Sequence, residues 1–178
     1  MSATTALATS TRHVVIDSPI GELTLVRDDD GFTGLYFPQH WTNPDTSSFG
    51  PRVDPAEDHA FAAAITQLDE YFAGRRRDFD LPLNPKGSPP ARRVWQLLTE
   101  IPYGRTTTYG AVAKQVGNGI SARAVGGLVG HNPVSILIAC HRVVGSTGKL
   151  TGYAGGLDRK QHLLELEKAI PASPPALW

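Results

Sequence analysis

Residues Asn84-Pro85-Lys86-Gly87-Ser88-Pro89-Pro90 place three prolines and a glycine within seven positions. Proline supplies no backbone N–H and disfavours helical backbone at the residue before it, so neither a helix interior nor a central strand runs through this stretch. The chain is therefore expected to fold as two units, residues 13–84 and 92–170, joined by a linker at 85–91. Charge divides at the same place. Residues 1–84 carry 6 Lys+Arg against 13 Asp+Glu, and residues 85–178 carry 11 against 4, although the whole chain is neutral. A basic half points to an anionic partner, of which nucleic acid is the commonest.

Period-2 alternation predicts strands at His13–Ile16, Glu22–Val26 and Phe32–Phe37, joined by short turns into an antiparallel meander. Asp28-Asp29-Asp30 reads as a solvated turn. Gln39–Pro55 is polar and Pro-rich and reads as a loop. Phe61, Ala64, Ile65, Leu68 and Phe72 recur at helical spacing over Ala56–Ala73, and Gly74 stops the helix. Arg75-Arg76-Arg77 suits a helix C-terminus as well as it suits nucleic acid.

Beyond the linker, Val94, Leu97 and Leu98 mark a helix over Ala91–Glu100. Thr108 is placed to cap a helix over Tyr109–Val116, and Ser121 another from Ala122 to about Val129, with a glycine-containing turn between them. That is a helix-turn-helix pattern. Its second helix is poor in bulk, with Ala122, Ala124, Gly126, Gly127 and Gly130, which suits either close approach to a partner or tight helix packing. Arg123 opposes the helix dipole in the first turn, a placement better suited to binding than to folding. A last helix is expected over Arg159–Lys168, capped by Asp158. The fold class is α/β (α+β): a small N-terminal antiparallel-sheet domain with a helix, then a mostly helical, winged-helix-like domain.

One cysteine, Cys140, excludes an internal disulfide and a multi-cysteine zinc site. No apolar stretch approaches the roughly 20 residues of a membrane span, and Met1–Thr11 lacks the apolar core of a signal. A cytoplasmic protein is expected, with no cofactor or metal and with disordered tails at 1–12 and 171–178. Cys140 ends the apolar run Ile136–Ala139 and is followed by His141 and Arg142, so a thiol, a base and a fixed cation share one segment. A lone cysteine there is either a small buried hydrophobe or a nucleophile.

The ordered series Ile101-Pro102-Tyr103-Gly104, Thr108-Tyr109-Gly110, Ala122-Arg123-Ala124-Val125-Gly126, Asn132-Pro133, Cys140-His141-Arg142-Val143, Gly152-Tyr153-Ala154-Gly155-Gly156 and Leu163-Leu164-Glu165-Leu166-Glu167 resembles the O6-alkylguanine–DNA alkyltransferases, also called methylated-DNA–protein-cysteine methyltransferases. Residues 94–167 carry the match, and Asp17–Gly21 with Leu23–Leu25 resembles the family's N-terminal domain. The resemblance implies irreversible, single-turnover transfer of an alkyl group to Cys140 from O6 of guanine, and from O4 of thymine, after the base is flipped out of duplex DNA. It implies His141 as base, acting through a water and oriented by Glu167, and Tyr109 as hydrogen-bond donor to the purine. Asn132 would tie the turn before the cysteine to the recognition helix. Arg123 would fill the vacated stack, with Ala122, Ala124 and Gly126 against a minor groove about 6 Å wide. Tyr153, the Ala154 backbone and the Val143 carbonyl would line the base pocket. DNA contacts would be largely independent of sequence, by a protein monomeric in solution and able to assemble cooperatively on DNA.

Two positions depart from the family pattern. Ala139 stands where proline is usual, which predicts a looser approach to the thiol and slower transfer. Pro90-Ala91 replaces a usual Phe-Gln pair, which predicts a lost aromatic core contact. A lesion-binding relative without repair activity and a plain helix-turn-helix regulator are the competing readings. Cys140 disfavours the first and the small second helix disfavours the other.

Overall fold

The computed structural model describes residues 10–172. Strands β1 (Arg12–Ile16), β2 (Leu23–Arg27) and β3 (Phe32–Tyr36) form an antiparallel sheet in that order, with Val14 opposite Leu25 and Leu25 opposite Leu35. Those three residues point to one face and are buried, as a half-covered sheet requires. Helix α1 (His59–Phe72) covers that face with Phe61, Ala64, Leu68 and Tyr71. It starts three residues later than its apolar spacing predicts, because the Asp58 carboxylate accepts from the N–H groups of Ala60 and Phe61 and ends the preceding 3-10 turn at Pro55–Glu57. Asp58 also holds Arg12 and Arg27, both at 2.9 Å or less, so one residue caps the helix and fastens it to two strands.

Asp28 corrects the expectation of a solvated acidic turn. It is 2% exposed and receives Asn84 Nδ2 and Lys86 Nζ, both from the proline-rich segment. The connection between the units is thus fastened to the sheet. It is also shorter than expected. Helix α2 (Pro89–Thr99) begins inside the predicted linker, with Ser88 as its cap and both prolines in its first turn, where their missing N–H groups leave no bond unmade. Gln39–Pro55, expected as a plain loop, contains a 3-10 turn at Thr46–Phe49 and two buried anchors, His40 and Phe49.

The second unit continues with β4 (Thr107–Thr108), α3 (Tyr109–Val116), α4 (Ala122–Gly130), β5 (Val143–Val144) and α5 (Leu157–Leu166). Thr108 and Ser121 cap α3 and α4 as their sequence positions predict. Helix α5 differs: its N-cap is Gly156 at φ 90°, and Asp158 lies within the first turn, where its charge suits the dipole. The short parallel pair of β4 with β5 sets the start of α3 beside the segment that follows Cys140. One apolar core, including Leu35 and Phe37 from the first unit and Val94, Val134 and Leu163 from the second, runs through both. Most of the two predicted tails lies outside the described residues; Arg12, placed in the first of them, begins β1.

Candidate active site

Cys140 sits in a short 3-10 turn, Cys140–Arg142, entered through Ala139. Asn132 shapes that entry. It is 1% exposed, its Nδ2 donates to the Ile138 carbonyl at 2.9 Å, and its Oδ1 accepts from Val134 N at 3.0 Å. Ile136 is held at φ 70° inside the turn so stapled, a conformation costly for a β-branched residue and tolerated only where its surroundings fix it.

Behind the thiol is a buried charge cluster. His141 Nε2 lies 2.7 Å from Glu167 Oε1. Arg142 grips the same carboxylate with Nε and Nη2, both at 2.9 Å, and donates from Nη1 to the Ile101 carbonyl. Burial would raise the Glu167 carboxyl, but the bonds from His141 and Arg142 outweigh it and hold it at about 2. Burial likewise pushes His141 down, against the pull of Glu167, so the ring is neutral. A neutral imidazole facing a carboxylate carries its proton on the nitrogen that faces it. Nε2–H therefore donates to Glu167, and Nδ1, buried and without a hydrogen-bond partner, is the free base. Burial also pushes the Cys140 thiol above its ordinary value, opposed by Asn132 and by the charge of Lys160. At rest this cysteine is a thiol, and it needs a base to become a nucleophile.

Cys140 lies in a cavity of about 430 Å³ whose lining includes Tyr109, Gly126, Gly127, Val129, Gly130, Gly152, Tyr153, Ala154 and Trp41. Its volume falls within the range of small-ligand pockets, roughly 300–1,000 Å³. The glycines of α4 open it, while Val125 and Val129 keep the helix in the core. The side-chain-poor helix thus makes room for a pocket, an outcome that composition alone leaves undecided. Ala122, Arg123 and Ala124 are exposed at the N-terminal end of the same helix.

Residues 89–169 match the 6-O-methylguanine DNA methyltransferase DNA binding domain, and residues 11–85 match that protein's ribonuclease-like domain. The chain belongs to the 6-O-methylguanine DNA methyltransferase family. It is 50% identical over 159 residues to the methylated-DNA–protein-cysteine methyltransferase of Mycolicibacterium paratuberculosis, covering 89% of this chain and 93% of the relative. Identity to the protein of that name from Methanosarcina acetivorans is 40% over 164 residues, covering 87% and 97%. The crystal structure of Mycobacterium tuberculosis OGT in complex with DNA superposes with a TM-score of 0.80 at 46% identity, covering 89% of this chain and 93% of that one.

In this member of the 6-O-methylguanine DNA methyltransferase family, Tyr71, Trp41 and Lys160 are among the residues at the site that the sequence does not mark as functional. Tyr71, from α1, donates its hydroxyl to Glu167 Oε1 at 2.7 Å, so the first unit reaches the carboxylate of the second. Trp41 enters the cavity lining from the loop after β3. Lys160 is fully buried and donates to the carbonyls of Val143 at 2.6 Å, Thr151 at 2.8 Å and Gly152 at 3.3 Å. Burial lowers its ammonium to about 8, and a Cys140 thiolate, once formed, pulls it back up. A signal for Lys160 existed, since it precedes Leu163 and Leu164 by three and four positions and so shares their buried helix face. The Val143 carbonyl accepts from Lys160 Nζ, and Val143 is buried three residues after Cys140. Ala139 has φ −78°, within proline's range. Beside Pro90-Ala91, the Trp95 ring packs against Gly87 so closely that a Cβ there would meet it at 2.5 Å.

Proposed function

We propose that the chain repairs alkylated DNA by moving an alkyl group from O6 of guanine, and from O4 of thymine, to Cys140 Sγ, once per molecule. The observation that carries this reading is Cys140 in the lining of a cavity that can hold a base, with the His141–Glu167 pair buried behind it. His141 Nδ1, which no described protein group hydrogen-bonds, takes the thiol proton through a bridging water, and Glu167, fixed by Arg142 and Tyr71, stabilises the imidazolium that forms. The thiolate attacks the alkyl carbon; the S–C bond forms as the C–O6 bond breaks, and its electron pair passes to the purine. The purine takes up one proton to become guanine. Tyr109, at the cavity wall, donates a hydrogen bond to the purine as that charge develops. The product thioether has no leaving group that water displaces, so the protein is consumed.

A base within a stacked duplex does not reach a buried sulfur, so the nucleotide must be flipped, at a cost of a few kcal/mol. The exposed N-terminal end of α4, with Ala122 and Ala124 small enough for the minor groove and Arg123 to occupy the vacated stack, suits that task. The basic second half suits phosphate contacts that ignore sequence. The DNA complex of the mycobacterial relative supports DNA as partner. The absence, among the described residues, of any helix long and apolar enough to cross a membrane is compatible with a cytoplasmic setting. Labelling with tritiated O6-benzylguanine tests the chemistry. One equivalent is expected on wild type and none on Cys140→Ser; wild type that binds alkylated duplex yet takes up no label defeats the proposal in favour of lesion binding alone.

A further inference from the structure

Among the described residues, large exposed apolar side chains occur only at Trp41 and Leu157, and Trp41 is 54% exposed. It is nevertheless held at several points. Its indole Nε1–H donates to the Gly130 carbonyl at 3.0 Å, at the end of α4. Its ring meets His131 edge-on with centroids 5.0 Å apart, and its backbone N–H donates to the Ala154 carbonyl at 3.1 Å. The turn that carries it closes with Asn43 N–H on the His40 carbonyl at 2.8 Å, between Gln39 at φ 57° and Asn43 at φ 47°. His40 itself is buried, stacked on Phe37, whose ring packs on Tyr153. A large ring is thus fixed in place, open to solvent, on the wall of the cavity that contains Cys140. A solvent-exposed aromatic held this firmly has already lost the freedom that ligand binding would otherwise remove.

We propose that Trp41 is a substrate-contacting residue contributed by the N-terminal unit. Its indole is the wall against which the extruded O6-substituted purine packs while its substituent meets Cys140. This rests on the alkyl-transfer reading above and adds to it a determinant of affinity for the base itself. Gly130 belongs to the same device, because a Cβ there would sit 3.2 Å from the Trp41 ring. Bare backbone at 130 lets the indole lie flush with α4.

The test uses the full chain and two probes, free O6-benzylguanine and a duplex with one O6-methylguanine. Trp41→Ala is expected to lower the second-order labelling rate about tenfold on both, in keeping with the worth of aromatic stacking on a base, and Trp41→Phe to retain most of it. With benzylguanine the loss should fall on the half-saturating concentration, with the maximal rate kept. Alkylation of Cys140 by iodoacetamide should be unchanged. Undiminished rates on both probes overturn the proposal. So does a loss confined to the duplex, which would assign Trp41 to the DNA backbone, and so does a parallel fall in iodoacetamide reactivity, which would make it a prop for the thiol turn. Failure of the alkyl-transfer reading is distinguishable, since wild type would then take up neither label before any variant is compared.

Discussion

The floor of the cavity and its rim are built by opposite means. Beneath Cys140, Glu167 is 2% exposed and accepts four hydrogen bonds, one from Tyr71, one from His141 and two from Arg142. At the rim, Trp41 is mostly exposed and its side chain is held by one hydrogen bond and one ring contact. In the buried cluster the Glu167 carboxylate is satisfied only by Tyr71, His141 and Arg142, so removing a charged partner leaves the other charge stranded in a medium that solvates it poorly. At the rim, water takes the place of any contact that is lost. The floor should therefore tolerate almost no substitution, while the rim should trade stability little and affinity more.

Glu167→Gln attacks the floor most directly. The amide keeps the shape but leaves Arg142 without its counter-charge, and breaking a buried pair in this way costs about 3–5 kcal/mol. Denaturant titration should register that loss, and benzylguanine labelling should slow by about a hundredfold or more once the base is no longer held and stabilised. Unchanged stability would mean that the cluster is far better solvated than its burial implies.

Acid should separate the Glu167 carboxylate from the buried histidines, since burial lowers both His141 on the floor and His40 beneath the rim. The Glu167 carboxyl lies at about 2, below its ordinary 4.5, so its contribution is present above 4.5 and fades only as pH falls through about 2. His40, beneath the rim, is lowered by burial from 6.5 to about 4. Its neutral form is the one the fold accepts, so that contribution is complete above 6.5 and is lost as pH falls toward 4. Thermal melts should show the first loss of stability in this upper window. His40→Gln should flatten the window by at least about 2 °C, and a wild-type melting temperature constant from pH 7 to 4 would contradict the assignment.

The smallest effect is expected at the entry to the thiol turn. Ala139 already has proline-like φ, so Ala139→Pro should stabilise by roughly 0.4–1 kcal/mol through the unfolded chain and leave the labelling rate within about twofold. A large gain in rate would revive the expectation that alanine loosens the approach to Cys140.

How much of this was legible beforehand depended on the range of the interaction. Caps at Thr108 and Ser121, the apolar face of α1 and the glycine-containing turn between α3 and α4 follow from neighbours a few residues away and are legible in the sequence. Cys140 and His141 stood out by adjacency, whereas Glu167 came only with the family resemblance. Tyr71 and Trp41 act on partners 96 and 89 positions away, and nothing local marks either as part of a site. Asp28 looked like one of three turn acids because its partners, Asn84 and Lys86, lie in a segment judged to be a free linker. Charge and periodicity locate elements; they do not say which distant element will satisfy a buried group.

The hydroxyl of Tyr71 has an engineering consequence. The two halves look like separable cassettes, with opposite charge and a proline-rich seam between them, yet a buried carboxylate in one accepts from a phenol of the other. A chimera that grafts the second half onto a foreign first half inherits the thiol, the imidazole and the carboxylate. Unless the incoming helix presents a donor where Tyr71 stands, it does not inherit the electrostatic setting in which they operate.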